Sequence, residues 1–542
     1  MSTETRTDQL VATESSALEI VASVLVALGA LGVVLGFTGV SMVVPATSTL
    51  LGLEVATLTG GLLVVLGLGI LAVGAVSAAD LVQTQPTHTP GIATGVTYGL
   101  LAFVVTGLLA AQTLGLSTLW PLVALVAFVG VALATIVVRE DLAVTVPAGV
   151  FLLFSGGVVL AGIIAPGFRW QPEGFSAAFS GEIAVPLIAI VAGLIAVWAS
   201  ARAYGGFGAQ GRQSGAYALI GANVLAIVSV LFLLVAFVAL KGFQPMTEGV
   251  KWGLFLDFYP WFHFYFPPID QYVVVSGPKI WFYWPFVMEP YHPLGEAISG
   301  VLPAIVGTVW LVIGAVLFAV PLGVGAAVFL TEYAEQGRFT GLIEVSTNGL
   351  WSTPSIVYGL FGLAFLVPRF GNTNSLLAGQ FVLGFMLLPL VVITSREALK
   401  SVPDEYRDAS AALGVGKWET IKSVIVPAAM PGVITGVILG VGRIAGETAP
   451  ILLVMAGTPF PTQAPNVLSS FEFTATPPFV TNPQLLEPAS ALPYQLYAII
   501  TAGVGENIEF AWGTALVLLI VVLSFYAVGI TARIYFRRKL HQ

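Results

Sequence analysis

Two ionisable residues of opposite charge, Arg443 and Glu447, lie within a long apolar stretch of the sequence. Their spacing of four residues predicts that both side chains share one face of a helix. A guanidinium binds two oxygens of a tetrahedral oxyanion, and a carboxylate accepts a hydrogen bond from a protonated oxyanion such as hydrogen phosphate. Sulfate has no such proton at neutral pH and is repelled. The pair therefore predicts a site selective for a protonated oxyanion, and a buried ion pair that only joins two helices is the alternative.

Hydroxyl groups near these charges extend the candidate substrate pathway. Thr448 follows the acidic residue directly and offers a hydroxyl donor. Ser355 lies with Ser352 and Thr353 around Pro354, where the proline predicts a broken helix whose hydroxyls line a cavity. The equally weighted alternative is a proline kink whose free backbone groups are satisfied by the Ser and Thr side chains.

A charged segment, 396–427, precedes these residues and cannot lie in hydrocarbon. Pro403 suits the first position of a helix, and Gly414 suits its end in a left-handed conformation. A second helix is predicted over Lys417–Val426, and Pro427 is expected to stop it before a spanning helix begins. We therefore expect two short helices that face water and form a compact knob, a shape suited to docking in a groove of a soluble partner.

The composition is that of an integral membrane protein. The chain has 542 residues, of which 57% are hydrophobic and 9% charged, whereas soluble domains carry about 25% charged residues. Apolar runs of about twenty residues recur and strands of alternating polarity do not, so we predict an all-α fold with about 12 transmembrane helices. The sequence has no cysteine, which excludes disulfides, thiolate chemistry and Cys-ligated metals.

The apolar segments form two sets of six. The first set lies at 17–44, 56–79, 92–113, 118–138, 144–165 and 183–200. The second set lies at 215–240, 299–330, 342–367, 375–396, 428–457 and 511–535. We predict a disordered cytoplasmic tail (1–16), an N-terminal membrane region of unknown function (17–200), a Gly-rich cytoplasmic linker (201–214) and a second membrane domain (215–540).

The first set contains almost no ionisable residues inside its spans. Arg139, Glu140 and Asp141 fall in a predicted connector. Neither a motif nor a charged loop assigns this region a function. Packing against the second domain or recruitment of a partner are the roles that we expect.

Basic residues predict the orientation, because they concentrate in cytoplasmic loops. Most Arg and Lys residues fall on one side if both termini are cytoplasmic, and the two long loops, 241–299 and 458–510, then face outside. The aromatic-rich stretch 258–284 favours an interfacial aromatic belt over a sugar-binding or quinone-binding surface. We predict a multi-pass protein of the plasma membrane.

The charged segment resembles the coupling loop of ABC-transporter permeases, whose pattern is Glu-Ala-Ala, three residues, Gly, nine residues, Ile, any residue, Leu, Pro. The matching residues here are Asp408-Ala409-Ser410, Gly414 and Val424-Ile425-Val426-Pro427. Asp replaces Glu, Ser replaces the second Ala, and Val replaces Ile and Leu, while the spacing is kept. The stretch from Arg443 to Pro450, with the pattern RxxGETAP, is similar to phosphate-specific permeases of the PstA type. PSIVYGLFG at 354–362 and the PLG…EYA run at 321–334 resemble the same permeases, and we interpret Glu332 and Tyr333 as a cytoplasmic helix end.

The resemblance covers 215–540 and implies a type I ABC importer core of six helices that forms half of a pathway for inorganic phosphate. It implies a separate ATP-binding ABC subunit, a second permease of the PstC type, an extracytoplasmic phosphate-binding protein and surrounding membrane lipid, with no nucleic acid and no cofactor. The residues implied to couple to the ATPase are Glu405, Asp408, Ala409, Ser410, Gly414 and Pro427. A permease for molybdate or sulfate is the near alternative. A membrane-embedded enzyme or sensor that docks a soluble regulator is the more distant one.

Signals of an enzyme are weak. Residues 411–418 contain Gly-Lys but lack the first glycine and the Ser or Thr of a P-loop. The sequence has no HExxH motif, no GxSxG motif and no cluster among its four histidines, so we expect neither catalytic residues nor a metal site. ATP hydrolysis is therefore expected from a separate subunit.

Overall fold

A computed structural model describes residues 17–112, 114–116, 118–171, 176, 178–269, 271–292, 299–335, 337–477, 479–502 and 508–540. Within these residues, 11 helices are long and apolar enough to cross a membrane, or up to 12 if one bent pair counts as a single span. The predicted all-α membrane fold with about 12 helices is confirmed. The predicted tail, 1–16, and His541 lie outside the described residues.

The chain forms two compact units, Met1–Phe237 and Val238–Gln542. Their boundary falls inside a 40-residue helix, Gly208–Thr247. Residues 201–214 form a helix end, a tight turn and the next helix start, and positive φ angles of 68° at Gly206 and 63° at Gly208 make that turn. The functional division proposed at 201–214 stays a prediction.

The first unit contains six long helices and the beginning of a seventh. They are α1 (Ala17–Val40), α2 (Val55–Ala78), α3 (Ile92–Gln112), α4 (Trp120–Val137), α5 (Glu140–Leu160), α6 (Gly181–Tyr204) and the first part of α7 (Gly208–Thr247). Two small antiparallel pairs join them: β1 (Thr49–Leu50) with β2 (Leu53–Glu54), and β3 (Arg169–Trp170) with β4 (Phe179–Ser180). Helix α1 packs along α6, α2 along α5 and α3 along α4.

Small residues let these helix pairs approach closely, as is common between membrane helices. A Cβ atom on Gly67 of α2 would lie 2.9 Å from the carbonyl oxygen of Gly149 in α5. One on Gly193 of α6 would lie 2.8 Å from the carbonyl oxygen of Gly29 in α1. Larger side chains at these positions would separate the helices.

The second unit begins with the end of α7 and a hairpin of β5 (Lys251–Phe266) and β6 (Gln271–Tyr283). The aromatic and β-branched composition of this hairpin favours the strand conformation. The predicted aromatic belt, 258–284, lies largely outside the described side chains.

The remaining elements of the second unit are mainly helices. They are α8 (Pro285–Met288), α9 (Leu302–Val328), α10 (Arg338–Ser352), α11 (Ser355–Phe361), α12 (Leu376–Lys400), α13 (Glu405–Ala412), α14 (Lys417–Thr420), α15 (Val426–Ala445), α16 (Ala449–Val454), α17 (Pro483–Leu486), α18 (Leu492–Ala502) and α19 (Ile508–Leu540), with a small pair of β7 (Glu472–Phe473) and β8 (Val480–Thr481). A π-helical turn, Phe329–Tyr333, extends α9. Helix α12 is the most buried of the long helices and packs against α9 and α15.

Candidate functional site

The residues predicted to meet the substrate lie at a helix break. Helix α15 ends at Ala445, and α16 begins at Ala449, so Glu447 lies in the break between them. The prediction that Arg443 and Glu447 share a face of one helix is therefore wrong. Pro450 has no N–H for the carbonyl of residue 446, and Gly446 is a weak helix former, so the helix cannot continue through this point.

The two charges nevertheless remain close. Arg443 Nε lies 3.9 Å from Glu447 Oε1, and 35% of the Arg443 side chain and 19% of the Glu447 side chain are exposed. The guanidinium lies over the ring of Trp351, with 4.2 Å between Cζ and the ring centroid. Within the described residues, the guanidinium donates no hydrogen bond, so its N–H groups are held in place by stacking yet lack protein acceptors.

Trp351 connects this break to a second one. The span formed by Arg338–Ser352 and Ser355–Phe370 bends by 101°. Helix α11, after the bend, packs on α16, where a Cβ atom on Gly359 would lie 2.9 Å from Cα of Pro450. Two helix breaks thus lie side by side, an arrangement that supplies polar groups to substrate sites in membrane transporters.

The hydroxyl groups predicted to line this region divide into two kinds. Ser352 Oγ and Thr353 Oγ1 each donate to the carbonyl of Gly349 at 2.9 Å, which supports the proline-kink interpretation for these two residues. Ser355 begins α11 and Thr448 precedes α16, and both are partly buried. Neither hydroxyl donates a hydrogen bond within the described part of the chain, so both stay candidates for the pathway.

The predicted turn of the charged segment forms at Gly414. This residue has φ +72°, and its N–H donates to the carbonyl of Ala411 at 2.9 Å. Val415 N donates to the carbonyl of Ser410 at 3.0 Å, which closes the end of α13. The predicted left-handed conformation of this glycine is confirmed.

The helix after this turn does not end at Pro427, which corrects the prediction. It runs continuously over Lys417–Ala445. A π-helical turn, Ile421–Ile425, precedes the proline, and Val426 N donates to the carbonyl of Ile421 across it. Such a turn widens the helix locally and accommodates the missing N–H of the proline.

The knob around the turn presents an exposed surface of mixed character. Glu405, Asp408 and Ala409 are exposed, whereas Ser410 is buried and donates its hydroxyl to the carbonyl of Tyr406 at 2.9 Å. Large apolar groups are also exposed, and we call them the docking face: Tyr406 (50%), Leu413 (82%), Val415 (38%) and Trp418 (62%). Large exposed apolar patches are a common feature of surfaces that bind other proteins, and docking of a partner at this face stays a prediction.

A cavity of about 190 Å³ lies in the same unit, between α10 and α12. Its polar lining includes Glu344, Thr347, Arg396 and Lys400. Arg396 forms an ion pair with Glu344, so the charges of the lining are largely balanced.

The first unit contains a buried ion cluster that the sequence analysis missed. Arg202 of α6 pairs with Glu140 in the first turn of α5, and 2% of the Arg202 side chain and 0% of the Glu140 side chain are exposed. Glu140 Oε2 accepts hydrogen bonds from Thr87 N at 3.0 Å and Gly208 N at 3.1 Å. Arg202 Nη1 donates to Thr94 Oγ1 at 2.8 Å.

Asp141 extends this cluster. Its Oδ2 lies 3.0 Å from Arg139 Nη2 and accepts a hydrogen bond from Ser77 Oγ at 3.0 Å. Acidic residues in a first helical turn are stabilised by the helix dipole, and that position was the available sequence signal. The partner Arg202 lies 62 residues from Glu140, so sequence alone does not connect them.

Comparisons with known proteins match part of the chain. Residues 319–541 match the family described as binding-protein-dependent transport system inner membrane component. A probable ABC transporter permease protein, YqgI of Bacillus subtilis, is 39% identical over 212 residues, which are 39% of this chain and 69% of that protein. The phosphate transport system permease protein PstA 1 of Mycobacterium tuberculosis is 31% identical over 269 residues, 47% of this chain and 82% of that protein.

One more relative and one solved structure also match. The phosphate transport system permease protein PstA of Haemophilus influenzae is 32% identical over 247 residues, 46% of this chain and 79% of that protein. Among solved structures, an inward-facing form of the MetNI methionine ABC transporter matches with 17% identity and a TM-score of 0.33, over 44% of this chain and 94% of that chain.

Proposed function

Because the chain belongs to the binding-protein-dependent family of ABC-transporter inner membrane permeases, we propose that it is a permease subunit of an ATP-driven importer of inorganic phosphate. In this proposal the second unit forms half of the translocation pathway, and a second permease of the PstC type forms the other half. ATP is hydrolysed by a separate ATP-binding subunit. An extracytoplasmic binding protein delivers phosphate to the loops 241–299 and 458–510.

The observation that carries the choice of substrate is the environment of Arg443. Its guanidinium is fixed on Trp351, while its N–H groups have no acceptor within the described residues other than the weakly placed Glu447. A tetrahedral oxyanion fits this guanidinium, because two of its oxygens accept from the guanidinium edge. The carboxylate beside it then accepts the remaining proton of hydrogen phosphate. The relatives named for phosphate transport support the same substrate.

Uptake in a reconstituted complex tests this proposal. The chain is purified with its ATPase, second permease and binding protein and placed in liposomes, and ATP-dependent uptake of radiolabelled phosphate is measured. We expect phosphate uptake that excess sulfate and molybdate do not compete away. Uptake of molybdate or sulfate in preference to phosphate would favour the alternative oxyanion, and ATP hydrolysis without any oxyanion uptake would contradict both.

Coupling to the ATPase is proposed to use the docking face around Gly414. A β-branched residue at φ +72° is strained, so Gly414→Val is expected to distort the face and to lower ATPase co-purification and phosphate uptake together. Gly416→Val is the matched control, because Gly416 has φ −65° and tolerates a side chain. Normal uptake by Gly414→Val would exclude this face as the coupling surface.

A further inference from the structure

An arginine of the charged knob binds the end of α9. Arg407 of α13 donates from Nη2 to Glu332 Oε1 at 2.7 Å and from Nε to Glu332 Oε2 at 3.4 Å. Glu332 belongs to the π-helical turn that ends α9, and 7% of its side chain is exposed. The guanidinium therefore forms a bidentate contact with both oxygens of a nearly buried carboxylate, a geometry that lysine cannot reproduce.

The same guanidinium also donates hydrogen bonds to the end of α12 and to the residues that follow it. Nη1 donates to the carbonyl of Val402 at 3.0 Å and to Asp404 Oδ1 at 3.1 Å. Nη2 also donates to the carbonyl of Leu399, at the end of α12, at 3.3 Å. Arg407 thus connects the knob, the end of α12 and the end of α9, and it faces inward while the docking face points outward.

A second contact on the far side of the turn reaches the neighbouring residue of α9. Lys417 Nζ lies 4.9 Å from the ring centroid of Tyr333. Residues before and after Gly414 therefore both hold the same helix end. A displacement of the knob therefore acts on the end of α9 through two contacts, one from Arg407 and one from Lys417.

The opposite end of α9 contacts the loop before α18. Thr308 Oγ1 accepts a hydrogen bond from Leu492 N at 2.9 Å, and a Cβ atom on Gly307 would lie 1.9 Å from the carbonyl oxygen of Ser490. From Thr308 to Glu332 the helix spans about 36 Å at 1.5 Å per residue. One helix therefore connects the knob to the loop 458–510, which we place on the external side of the membrane.

We propose that Arg407 is a positioning residue that transmits movement of the coupling knob to α9, separately from the docking of the ATPase. The inference rests on the proposed ABC-importer function. Docking uses the exposed Tyr406, Leu413 and Trp418, whereas transmission uses the inward pair of Arg407 and Glu332. Loss of the Arg407–Glu332 pair leaves the ATPase bound. The movements of the ATPase then no longer reach α9, which contacts the loop 458–510.

A charge swap in the complete complex tests the proposal. Arg407→Glu and Glu332→Arg are each expected to keep the ATPase bound and hydrolysing ATP, while phosphate transported per ATP falls at least about tenfold because a carboxylate or guanidinium loses its buried partner. The double variant is expected to recover most of the coupling. Arg338→Glu, on an exposed side chain at the start of α10, is the matched control for a charge reversal and is expected to transport normally.

Conservative variants keep the test valid if a reversal prevents folding. Arg407→Lys retains the charge and loses the two-pronged contact, so it is expected to transport at an intermediate level. Normal transport per ATP in Arg407→Lys and Arg407→Glu would overturn the proposal. Loss of the ATPase from the complex in either variant, or a double variant no better than the single ones, would also overturn it, since Arg407 would then be a docking or merely structural residue.

A readout that does not depend on the substrate separates this inference from the proposed function. The chain contains no cysteine, so Leu322→Cys, at an exposed position of α9, can carry a single environment-sensitive fluorophore in a complex whose other subunits lack cysteine. In the otherwise unaltered complex, ATP is expected to change the emission of this fluorophore. In Arg407→Glu we expect no change, and in the double variant Arg407→Glu with Glu332→Arg we expect the change to return. If phosphate is the wrong substrate, this pattern persists while phosphate uptake is absent; an ATP response that survives Arg407→Glu overturns the inference alone.

Discussion

Each unit of the chain places an arginine beside a glutamate and on the face of a tryptophan, yet the two sites differ in how far the protein satisfies their polar atoms. In the first unit, 2% of the Arg202 side chain and 0% of the Glu140 side chain are exposed. Arg202 donates a hydrogen bond to Thr94, and Glu140 accepts hydrogen bonds from Thr87 and Gly208. Arg202 Nε is the one nitrogen of this guanidinium left without a partner in the described part of the chain. Arg202 Cζ lies 5.4 Å from the ring centroid of Trp198.

In the second unit, Arg443 lies closer to its tryptophan than Arg202 does, and farther from its carboxylate. Its contact with Glu447 is 3.9 Å, and its N–H groups donate to no other residue in the described part of the chain. Charged groups within membranes are functional candidates by default, but Arg202 and Glu140 already have each other and further hydrogen-bond partners in the protein. The number of unsatisfied donors, rather than burial of charge, distinguishes the candidate substrate site from the structural one.

The largest expected effect follows from breaking the buried pair of Arg202 and Glu140. Arg202→Met leaves the Glu140 carboxylate buried without its main partner, which is expected to lower the free energy of unfolding by about 3–5 kcal/mol. Thermal unfolding of the purified chain in detergent measures this loss. Arg443→Met removes a partly exposed partner and is expected to change the free energy of unfolding by less than about 1 kcal/mol.

The double variant Glu140→Gln with Arg202→Met checks the cause, because removing both charges is expected to restore most of the stability. If Arg443→Met destabilised the chain as much as Arg202→Met, the contrast between the two pairs would be false.

The next effect concerns transport and is confined to the second pair. Arg443→Lys keeps the charge and loses the fork that holds two oxygens, so phosphate uptake is expected to fall about 10–100-fold, the range for loss of a charge-assisted hydrogen bond. Assembly of the complex, followed by size-exclusion chromatography, is expected to be unchanged. Arg202→Lys is the matched control: where the complex assembles, its uptake per assembled complex should equal that of the unaltered protein.

Selectivity gives a smaller but more specific effect. Glu447→Gln removes the negative charge that repels a fully ionised anion, so sulfate is expected to compete with phosphate where it did not before, and phosphate flux is expected to fall. Competition assays in liposomes measure both. If Arg443 and Glu447 served only as a structural pair, removing both together would restore transport, and that result would defeat the substrate-pathway interpretation.

The membrane spans were predictable because bilayer thickness fixes the length of an apolar helix, and the local chemistry of single residues was predictable too. Gly414 has the left-handed conformation that its residue type indicated. Arg443 and Glu447 do approach each other, although across a helix break rather than along a helix face. Pro450 causes that break, because a proline removes the N–H that the preceding turn of a helix needs.

The pairings between distant residues were not predictable from one sequence. Glu140 and Arg202 are 62 residues apart, and Arg407 and Glu332 are 75 residues apart, so no local periodicity connects them. Each charge on its own looked like a residue of a polar connector or helix end. The packing of α5 against α6 brings the first pair together, and the position of the knob beside the end of α9 brings the second pair together.

The smallest expected effect tests the two tryptophans. Stacking of a guanidinium on an indole contributes about 0.5–1 kcal/mol at partly exposed sites, so Trp351→Leu is expected to lower phosphate uptake about two- to fivefold by letting Arg443 move. Trp351→Phe keeps an aromatic face and should recover part of the loss. Trp198→Leu removes the corresponding ring from Arg202, whose position is also fixed by Glu140 and Thr94. It should therefore leave uptake unchanged, and equal losses of uptake in Trp198→Leu and Trp351→Leu would mean that neither arginine meets the substrate.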